Sequence, residues 1–430
     1  MDVRLSNYGC ASTRPSPVNR MMAAFAADFR DGVDINLGVG FVNERTIPVP
    51  LLAEAMQTVA ANPAAYRQAF NYGGPHGSSN LIAALQRFLA RRRTPGLDAA
   101  TLARKRLIVG PCGATSLLDA LAEVIAPGIV VTSDPMYYIY ADALERKGFE
   151  VLAVPEDRDG IDPAALRRKL VQLGDRAGQI AFFYVVTVNN PSCTVLSNAR
   201  RRELYEVAAG LSREQARSIP IFYDLAYELL LHDPAAESFA SVLGEDALGI
   251  AYEIGTLSKV LAPALRIGYL LGPDGPLMDA MVQKTSDVGF SAPQFVQEMA
   301  GYLLDRHIEP QLRAVNAGYR EKAVAVRAAI DSELGEFLED CRGGSAGFYY
   351  YLTFRDLETH SASAFFRRLA HAAHPLPRVI YIPGEYCVHP RGDLAAAGRR
   401  QLRLSYAFED AGRILQALRL MREAAARERL

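Results

Sequence analysis

Short apolar runs alternate with helical patterns between residues 106 and 227, and this alternation restricts the fold more than any other feature of the chain. Runs rich in β-branched and aromatic residues occupy 106–110, 128–135, 149–155, 180–191 and 219–227. Patterns of helical length lie between them, at 115–125, 137–148, 163–173 and 199–211. Strands joined through helices pair in parallel, because each connection must cross back over the sheet. We therefore predict an α/β fold with a mainly parallel sheet and helices on both faces.

A second, smaller domain is expected after this region. The chain has 430 residues and is 50% hydrophobic, which exceeds the usual size of a single core. After Pro310 the pattern changes to a long helix at 311–334, a strand pair at 347–354 and 403–408, and a terminal amphipathic helix. We predict a large domain at 49–304 and a small α+β domain at 305–430, with residues 1–48 forming an arm that contributes to the small domain.

Charge and cysteine content favour small-molecule partners. With 47 basic and 48 acidic residues, the formal net charge is -1, so there is no electrostatic signature of nucleic-acid or membrane binding. The five cysteines form no CxxC pair, which is typical of reduced thiols. The first 20 residues contain no apolar segment of signal-peptide length. We expect a cytoplasmic protein that binds neither nucleic acid nor membrane.

Ligands of open α/β sheets bind beyond the carboxyl ends of the strands, and four strand ends here carry residues that suit a ligand, near positions 113, 190, 224 and 259. Gly113, Ala114 and Thr115 open a helix after a strand, where backbone N–H groups and the helix dipole can hold a phosphate. An ordinary turn is the alternative. Asn190 ends a buried strand, and it either caps a turn or directs its amide at a ligand oxygen.

Asp224 and Lys259 are the two charged residues in apolar surroundings. A carboxylate in a buried strand is costly without a positive partner, either a structural Arg or Lys or the cation of a cofactor. Lys259 is either an ordinary solvated lysine or a desolvated nucleophile for a carbonyl. Together with the phosphate cradle and Asn190, they are the parts needed to bind pyridoxal 5'-phosphate. The carboxylate would keep the pyridine nitrogen protonated, and the lysine would hold the aldehyde as an imine.

Several motifs resemble those of fold-type I aminotransferases of class I/II, over residues 35–410. They are "NYGGPHGSSNLIAAL", "GATSLLDAL", "DPMYYIY", "NNPSC", "YDLAY", "SKVLAPALRIGY" and "RLSY". "VIYIPGEYCVHP" before "RLSYAF" is similar to valine–pyruvate and alanine aminotransferases, whereas "INLGVG" is similar to aspartate aminotransferases. The resemblance implies a seven-stranded type of sheet and an enzyme that moves an amino group between an L-amino acid and a 2-keto acid.

The resemblance also implies a role for individual residues. Lys259 would form the Schiff base and move the proton, Asp224 would pair with the pyridine nitrogen, and Asn190 and Tyr227 would bond the cofactor's phenolic oxygen. Its phosphate would lie among Gly113, Ala114, Thr115, Ser258 and Arg266. Tyr137 would stack on the ring, although its spacing equally suits a core aromatic. Arg403 would clamp the substrate α-carboxylate, with Asn190 and Gly40 nearby.

The resemblance further implies a homodimer with shared active sites. Tyr72 stands in a glycine-rich loop with Gly73, Gly74 and Gly77. In the family this tyrosine reaches across a two-fold interface to the phosphate of the neighbouring subunit. Packing on its own subunit is the alternative.

One departure from the family pattern affects the substrate side of the site. The family's "NPxG" is Asn190-Pro191-Ser192-Cys193 here. Because cysteine is more restricted than glycine, we expect a reshaped turn, with the thiol either buried and inert or lining the pocket. The alternatives to a transaminase are a lyase or amino-acid cyclase of the same fold, and a noncatalytic regulatory module.

The sequence gives weaker support for other cofactors. Gly38 and Gly40 form a GxG, but Asn43 stands where a dinucleotide fingerprint needs its third glycine, and there is no Walker sequence. His371 and His374 are spaced as a metal pair on an expected helix, without any further ligand motif. We predict no metal site.

Overall fold

The computed structural model describes residues 3–372 and 375–428. Its helices are α1 (Asn7–Ala11), α2 (Pro17–Ala26), α3 (Val49–Ala61), α4 (Ser79–Arg91), α5 (Ala99–Ala103), α6 (Gly113–Val124), α7 (Tyr138–Arg146), α8 (Pro163–Leu173), α9 (Asn198–Glu214), α10 (Pro276–Asp287), α11 (Gln294–Arg306), α12 (Ile308–Leu334), α13 (Ala364–Ala370), α14 (Ala395–Gly398) and α15 (Ala411–Glu428). Its strands are β1 (Ile35–Asn36), β2 (Lys105–Val109), β3 (Ile129–Asp134), β4 (Glu150–Asp157), β5 (Gly160–Ile161), β6 (Ile180–Val186), β7 (Ile221–Asp224), β8 (Ala251–Thr256), β9 (Gly268–Pro273), β10 (Leu338–Gly343), β11 (Tyr349–Phe354), β12 (Val379–Ile380), β13 (Ile382–Pro383) and β14 (Gln401–Ser405).

The central sheet has the order β2-β9-β8-β7-β6-β3-β4-β5, and its middle strands run parallel. Strand β9 is antiparallel to both β2 and β8, and the short β5 closes a hairpin with β4. Every residue of β6 is buried, as expected for a strand covered on both faces. The predicted α/β fold with a mainly parallel sheet is therefore confirmed.

Alternate residues of the central strands pack into two different cores, because successive side chains of a strand point to opposite faces. Phe182 and Phe222 pack with α6, α7 and α10 on one face. Phe183 and Tyr223 pack with α4, α9 and α11 on the other. The helical patterns between the strands thus cover both faces of the sheet.

The C-terminal part is built on an antiparallel sheet of order β10-β11-β14-β13. The long helix and the strand pair predicted after Pro310 are α12, β11 and β14, and the terminal helix is α15, which packs on α12. The N-terminal arm joins this part through β1, which pairs in parallel with β12. The domain boundaries at 48 and 304 stay a prediction.

Two predicted elements differ from the structure. Strand β6 ends at Val186, not at Asn190, because its neighbour β7 ends at Asp224, the partner of Val186. The chain then folds into a turn in which the Cys193 N–H donates to the Asn189 oxygen at 2.6 Å. His371 follows α13 instead of lying on a helix, and His374 is outside the described residues. None of the helices in the described ranges combines the length and apolarity needed to cross a bilayer.

Candidate active site

A cavity of about 140 Å³ lies at the carboxyl ends of the parallel strands. The predicted residues that line it are Ala114, Thr115, Tyr137, Asn190, Asp224, Tyr227, Ser258, Lys259 and Arg266. They come from the start of α6, the residue before α7, the segments after β6, β7 and β8, and the turn before β9. The structure thus brings together residues that are up to 152 positions apart.

Lys259 lines the cavity with this group and follows the end of β8. Its Nζ donates to the Gly40 oxygen at 3.3 Å and lies 5.6 Å from the ring centroids of Tyr227 and Phe348. Burial lowers the pKa of Lys259 to about 8, and the positive charges of Arg266 and Arg403 act in the same direction. A neutral amine is therefore accessible to Lys259 near neutral pH, as a nucleophile or proton acceptor requires.

Asp224 supplies the carboxylate that lines the cavity. Its side chain is buried, with the residue only 4% exposed. Burial raises its pKa, whereas hydrogen bonds from the Tyr184 hydroxyl at 2.7 Å and the Ala226 N–H at 2.9 Å oppose that effect. Both donors are neutral, so neither supplies the opposite charge that a buried carboxylate normally requires. The structural Arg or Lys considered as its partner does not form an ion pair with it within residues 3–372 and 375–428.

Arg266 and the start of α6 provide the part of the cavity lining that suits an anion. Gly113 begins α6 with φ +67°, and the first N–H groups of a helix have no partner within the helix. Arg266 takes the left-handed conformation with φ +51°, and its guanidinium donates to the oxygens of Pro263 and Cys112. A Cβ at Gly268 would lie 2.2 Å from the Ala114 nitrogen, so this glycine allows β9 to approach the start of α6.

Arg403 and Asn190 contact each other beside the cavity. The Arg403 Nη1 donates to the Asn190 Oδ1 at 2.9 Å, and Nη2 donates to the Gly38 oxygen at 2.5 Å. The Asn190 oxygen is therefore engaged by Arg403. The Arg403 Nε is buried without a hydrogen-bond partner in the described part of the chain. A carboxylate fits this donor, because it can accept two parallel hydrogen bonds from a guanidinium.

Two tyrosines that the sequence analysis did not select belong to the site. The Tyr349 hydroxyl lies 3.1 Å from that of Tyr227, and the Arg403 guanidinium lies 4.3 Å from the centroid of the Tyr349 ring. A Cβ at Gly40 would be 2.9 Å from the Tyr349 Oη, which explains the glycine there. Tyr184 bonds Asp224 from the middle of β6. The only signal for Tyr349 was the run of aromatic residues in "GFYYYLTF".

Tyr72 is not brought to the cavity. It is 82% exposed, and its ring lies 5.9 Å from that of Phe290. Phe70, which is 76% exposed, stacks on Phe295 at 5.0 Å. The loop thus presents aromatic side chains at the surface of the single chain.

The turn at Cys193 has a backbone conformation that favours glycine, and the expectation that the turn is reshaped relative to that of the family stays a prediction. Cys193 has φ +51° in the left-handed region, although it is not a glycine. The buried Sγ occupies space left by Gly347, where a Cβ would lie 2.6 Å from it. Burial raises the pKa of the thiol to about 12, which favours an inert cysteine. In the described part of the chain no group of three or more His, Cys, Asp or Glu could hold a metal ion.

Comparison with known proteins identifies the family. Residues 33–418 match the family model of the class I and II aminotransferases, and the chain belongs to this family. It is a transaminase, which moves an amino group between an amino acid and a 2-keto acid, and its family depends on pyridoxal phosphate.

Three similar proteins illustrate the relationship. The bovine mitochondrial kynurenine/alpha-aminoadipate aminotransferase is 27% identical over 347 residues, which cover 76% of this chain and 79% of that protein. An uncharacterized HTH-type transcriptional regulator of Bacillus subtilis, YisV, is 22% identical over 91% of this chain and 74% of its own length. The crystal structure of Pyrococcus horikoshii kynurenine aminotransferase in complex with PMP has a TM-score of 0.84 at 21% identity, covering 97% of this chain and 96% of that chain. At 21% identity, this last similarity shows that the two chains share a fold.

Proposed function

We propose that this transaminase binds pyridoxal 5'-phosphate in the cavity around Lys259. The observation that carries the proposal is the set of charges that line one cavity: the buried Asp224 carboxylate, the Lys259 amine, and the Arg266 guanidinium beside the start of α6. A cofactor with a cationic ring nitrogen and an anionic phosphate fits this arrangement. When bound, pyridoxal phosphate supplies an aldehyde that accepts the amino group and a ring that withdraws electrons from the substrate Cα.

The residues of the chain would then hold the cofactor as follows. Asp224 would accept a hydrogen bond from the protonated ring nitrogen, and Tyr137 would stack on the ring. The phosphate would lie against the N–H groups of Ala114 and Thr115, with Gly113 and Ser258 beside it and the Arg266 charge opposite. Asn190 and Tyr227 would face the phenolic oxygen.

The proton and the substrate would be handled by residues around Lys259. Its lowered pKa supports a role as the base that removes the Cα proton and later returns it. Arg403 would bind the α-carboxylate, for which its unpartnered Nε provides a donor. Gly40 would form the part of the substrate-site wall that the arm contributes, because its carbonyl oxygen accepts a hydrogen bond from the Lys259 Nζ.

We further propose a homodimer in which Tyr72 completes the site of the other subunit. The exposed aromatic loop supports this, because an exposed apolar patch commonly marks a contact surface. We also propose the division into the arm 1–48, the large domain 49–304 and the small domain 305–430. The arm would belong to the small domain through the pairing of β1 with β12.

Chemical trapping tests the cofactor site. The protein loaded with pyridoxal 5'-phosphate is reduced with borohydride, and the modified peptide is mapped. We expect the label on Lys259 and none after Lys259→Ala. Lys322 serves as an internal control, because burial also lowers its pKa to about 8 but its Nζ donates to the oxygens of Ala407 and Glu409, outside the cavity. A label on Lys322 or another lysine in the wild-type protein would contradict the assignment.

A further inference from the structure

Tyr184 is the only neighbour of Asp224 that contacts its carboxylate through a side chain in the described part of the chain. The Tyr184 hydroxyl donates to Oδ2 at 2.7 Å, while the backbone N–H of Ala226 donates to Oδ1 at 2.9 Å. Each oxygen of a carboxylate can accept two hydrogen bonds, so both retain an acceptor position. The carboxylate is thus held from two sides and can still accept a further donor from the cavity.

The register of the sheet explains why Tyr184 reaches Asp224. Strands β6 and β7 pair in parallel, with Tyr184 opposite Phe222 and Val186 opposite Asp224. Because side chains two positions apart lie on the same face, Tyr184 and Asp224 are diagonal neighbours on one face. This is the face that bears the cavity, which Tyr184 and Asp224 both line.

The packing around Tyr184 restricts its ring. Tyr184 is 2% exposed, and the ring of Tyr140 meets it edge-on with centroids 4.8 Å apart. The Tyr140 hydroxyl donates to the Leu118 oxygen at 2.9 Å and takes no part in the bond between Tyr184 and Asp224. A buried ring fixed in this way presents its hydroxyl at a defined position. The packing of the Tyr184 ring therefore fixes the direction of its hydrogen bond to Asp224.

The electrostatic effect of this hydrogen bond opposes that of burial. Burial favours the neutral acid at Asp224, whereas a hydroxyl that donates to the carboxylate favours the ionised form. An ionised Asp224 keeps the proton on the ring nitrogen of a bound pyridoxal phosphate, while a more basic Asp224 would take that proton. The Tyr184 hydroxyl would thus influence the ring nitrogen of a bound cofactor through Asp224.

We propose that Tyr184 is a positioning residue that holds the Asp224 carboxylate in the orientation and charge state needed to keep the cofactor ring nitrogen protonated. This inference rests on the proposed cofactor site, because it assigns a partner to Asp224 within it. It concerns the hydroxyl group of Tyr184 alone, since the ring also fills space in the core.

Nitrogen NMR provides a direct measurement. Protein is loaded with pyridoxal 5'-phosphate labelled with ¹⁵N in the ring, and the ¹⁵N shift is recorded for the wild type, Tyr184→Phe, Tyr140→Phe and Asp224→Asn. Tyr140→Phe is the matched control, because it removes a buried tyrosine hydroxyl from the adjoining ring but leaves the bond to Asp224. Thermal unfolding of each variant checks that it is folded, and the dissociation constant of the cofactor is measured in parallel.

We expect Tyr184→Phe to move the ¹⁵N shift toward that of an unprotonated nitrogen, and to weaken cofactor binding about tenfold, as loss of a hydrogen bond to a charged group does. Tyr140→Phe should match the wild type in both measurements. A wild-type shift in Tyr184→Phe, alongside a changed shift in Asp224→Asn, would overturn the inference and leave the cofactor site intact. Equal changes in both tyrosine variants would also overturn it, since they would indicate packing. An unchanged shift in Asp224→Asn would contradict the role of Asp224 itself, and the inference with it.

Discussion

The reactivity of Lys259 should depend on pH around its lowered pKa. Because burial lowers that pKa to about 8, the neutral amine increases as the pH rises toward 8 and is the main form above it. We expect the rate at which the cofactor-free enzyme attaches pyridoxal 5'-phosphate to rise up to about pH 8 and then to level off. Stopped-flow absorbance measures this rate.

The variant Asp224→Asn should shift the pH midpoint of this rate in a defined direction. The negative charge of Asp224 raises the pKa of Lys259, so its removal should move the midpoint of the rate profile to lower pH. A wild-type midpoint near 10.5, the value of an unperturbed lysine, would show that Lys259 is not desolvated.

Tyr349 offers a test that separates its ring from its hydroxyl. The ring lies 4.3 Å from the Arg403 guanidinium, and a buried cation–ring contact contributes about 1–2 kcal/mol. We expect Tyr349→Leu to raise KM for the amino acid about tenfold, because Arg403 loses this support. Tyr349→Phe keeps the ring and should leave KM unchanged, but it should lower kcat because the Tyr227 hydroxyl loses a partner. Steady-state kinetics measures both values, and an equal rise of KM in the two variants would contradict the role of the ring.

Lys259 and Asp224 could be selected from the sequence because each is a charged residue where the surroundings are apolar. Burial of charge is costly, so these two positions are conspicuous in the sequence itself. Tyr184 and Tyr349 could not be selected in this way, because tyrosine is common in buried strands and needs no special explanation there. Their importance depends on which hydroxyl faces which neighbour, and only the packed chain defines that.

At the scale of elements, the alternating pattern predicted the strands and helices of the central sheet because their periods differ so clearly. The end of β6 was misplaced because the β-branched Thr187 and Val188 continue the strand pattern, whereas the ending is determined by the neighbouring strand. The left-handed backbone at Cys193 could not be foreseen either, because residue type alone disfavours it.

The contact between β9 and α6 should be sensitive to one methyl group. At Gly268 a Cβ would lie 2.2 Å from the backbone nitrogen of Ala114, and backbone cannot move aside as a side chain can. Gly268→Ala should therefore push the start of α6 away from Arg266 and weaken binding of pyridoxal 5'-phosphate about tenfold, which corresponds to losing the contribution of a helix N-terminus. Fluorescence titration of the cofactor-free protein measures this affinity.

Gly318→Ala is the control for this substitution. Gly318 lies within α12, and a Cβ there would meet nothing within 4 Å. Alanine at this position should leave cofactor affinity unchanged and raise the free energy of unfolding by about 0.5–1 kcal/mol. Wild-type affinity in Gly268→Ala would mean that the close approach of β9 does not shape the phosphate site.

At the scale of the whole molecule, three distant segments meet at Lys259. The arm supplies Gly38 and Gly40, the central sheet supplies Asp224 and Lys259, and β14 supplies Arg403. The sequence predicted these segments separately and assigned the arm to the small domain, but it could not locate the pairing that joins them, because β1 has only two residues and its partner β12 is more than 340 positions away. Long-range pairing of such short strands leaves almost no periodic signal.

At the scale of the whole molecule, the prediction to test is that two subunits share their active sites. Tyr72 is 82% exposed in the single chain and is not among the residues that line the cavity, so the role proposed for it at the phosphate would need a second copy of the chain. Tyr72→Ala and Lys259→Ala, each expected to be inactive, are mixed, dissociated and reassociated. In an isologous dimer each subunit gives and receives the same group, so one site of a mixed dimer carries both lesions and the other carries neither. Up to about half of the sites in mixed dimers should therefore recover activity.

The two parent variants and the measured fraction of mixed dimers provide the controls for this experiment. Mass spectrometry of the intact assembly, with one parent isotopically labelled, measures the fraction of mixed dimers, and the recovered activity should rise in proportion to it. Tyr349→Leu mixed with Lys259→Ala gives a contrasting pair, because Tyr349 contacts Tyr227 and Arg403 of its own chain. Each mixed dimer of that pair would hold one Tyr349→Leu site and one Lys259→Ala site, so activity should not exceed that of Tyr349→Leu alone. If mixed dimers of Tyr72→Ala and Lys259→Ala form without any recovery, Tyr72 acts within its own subunit and the sites are not shared.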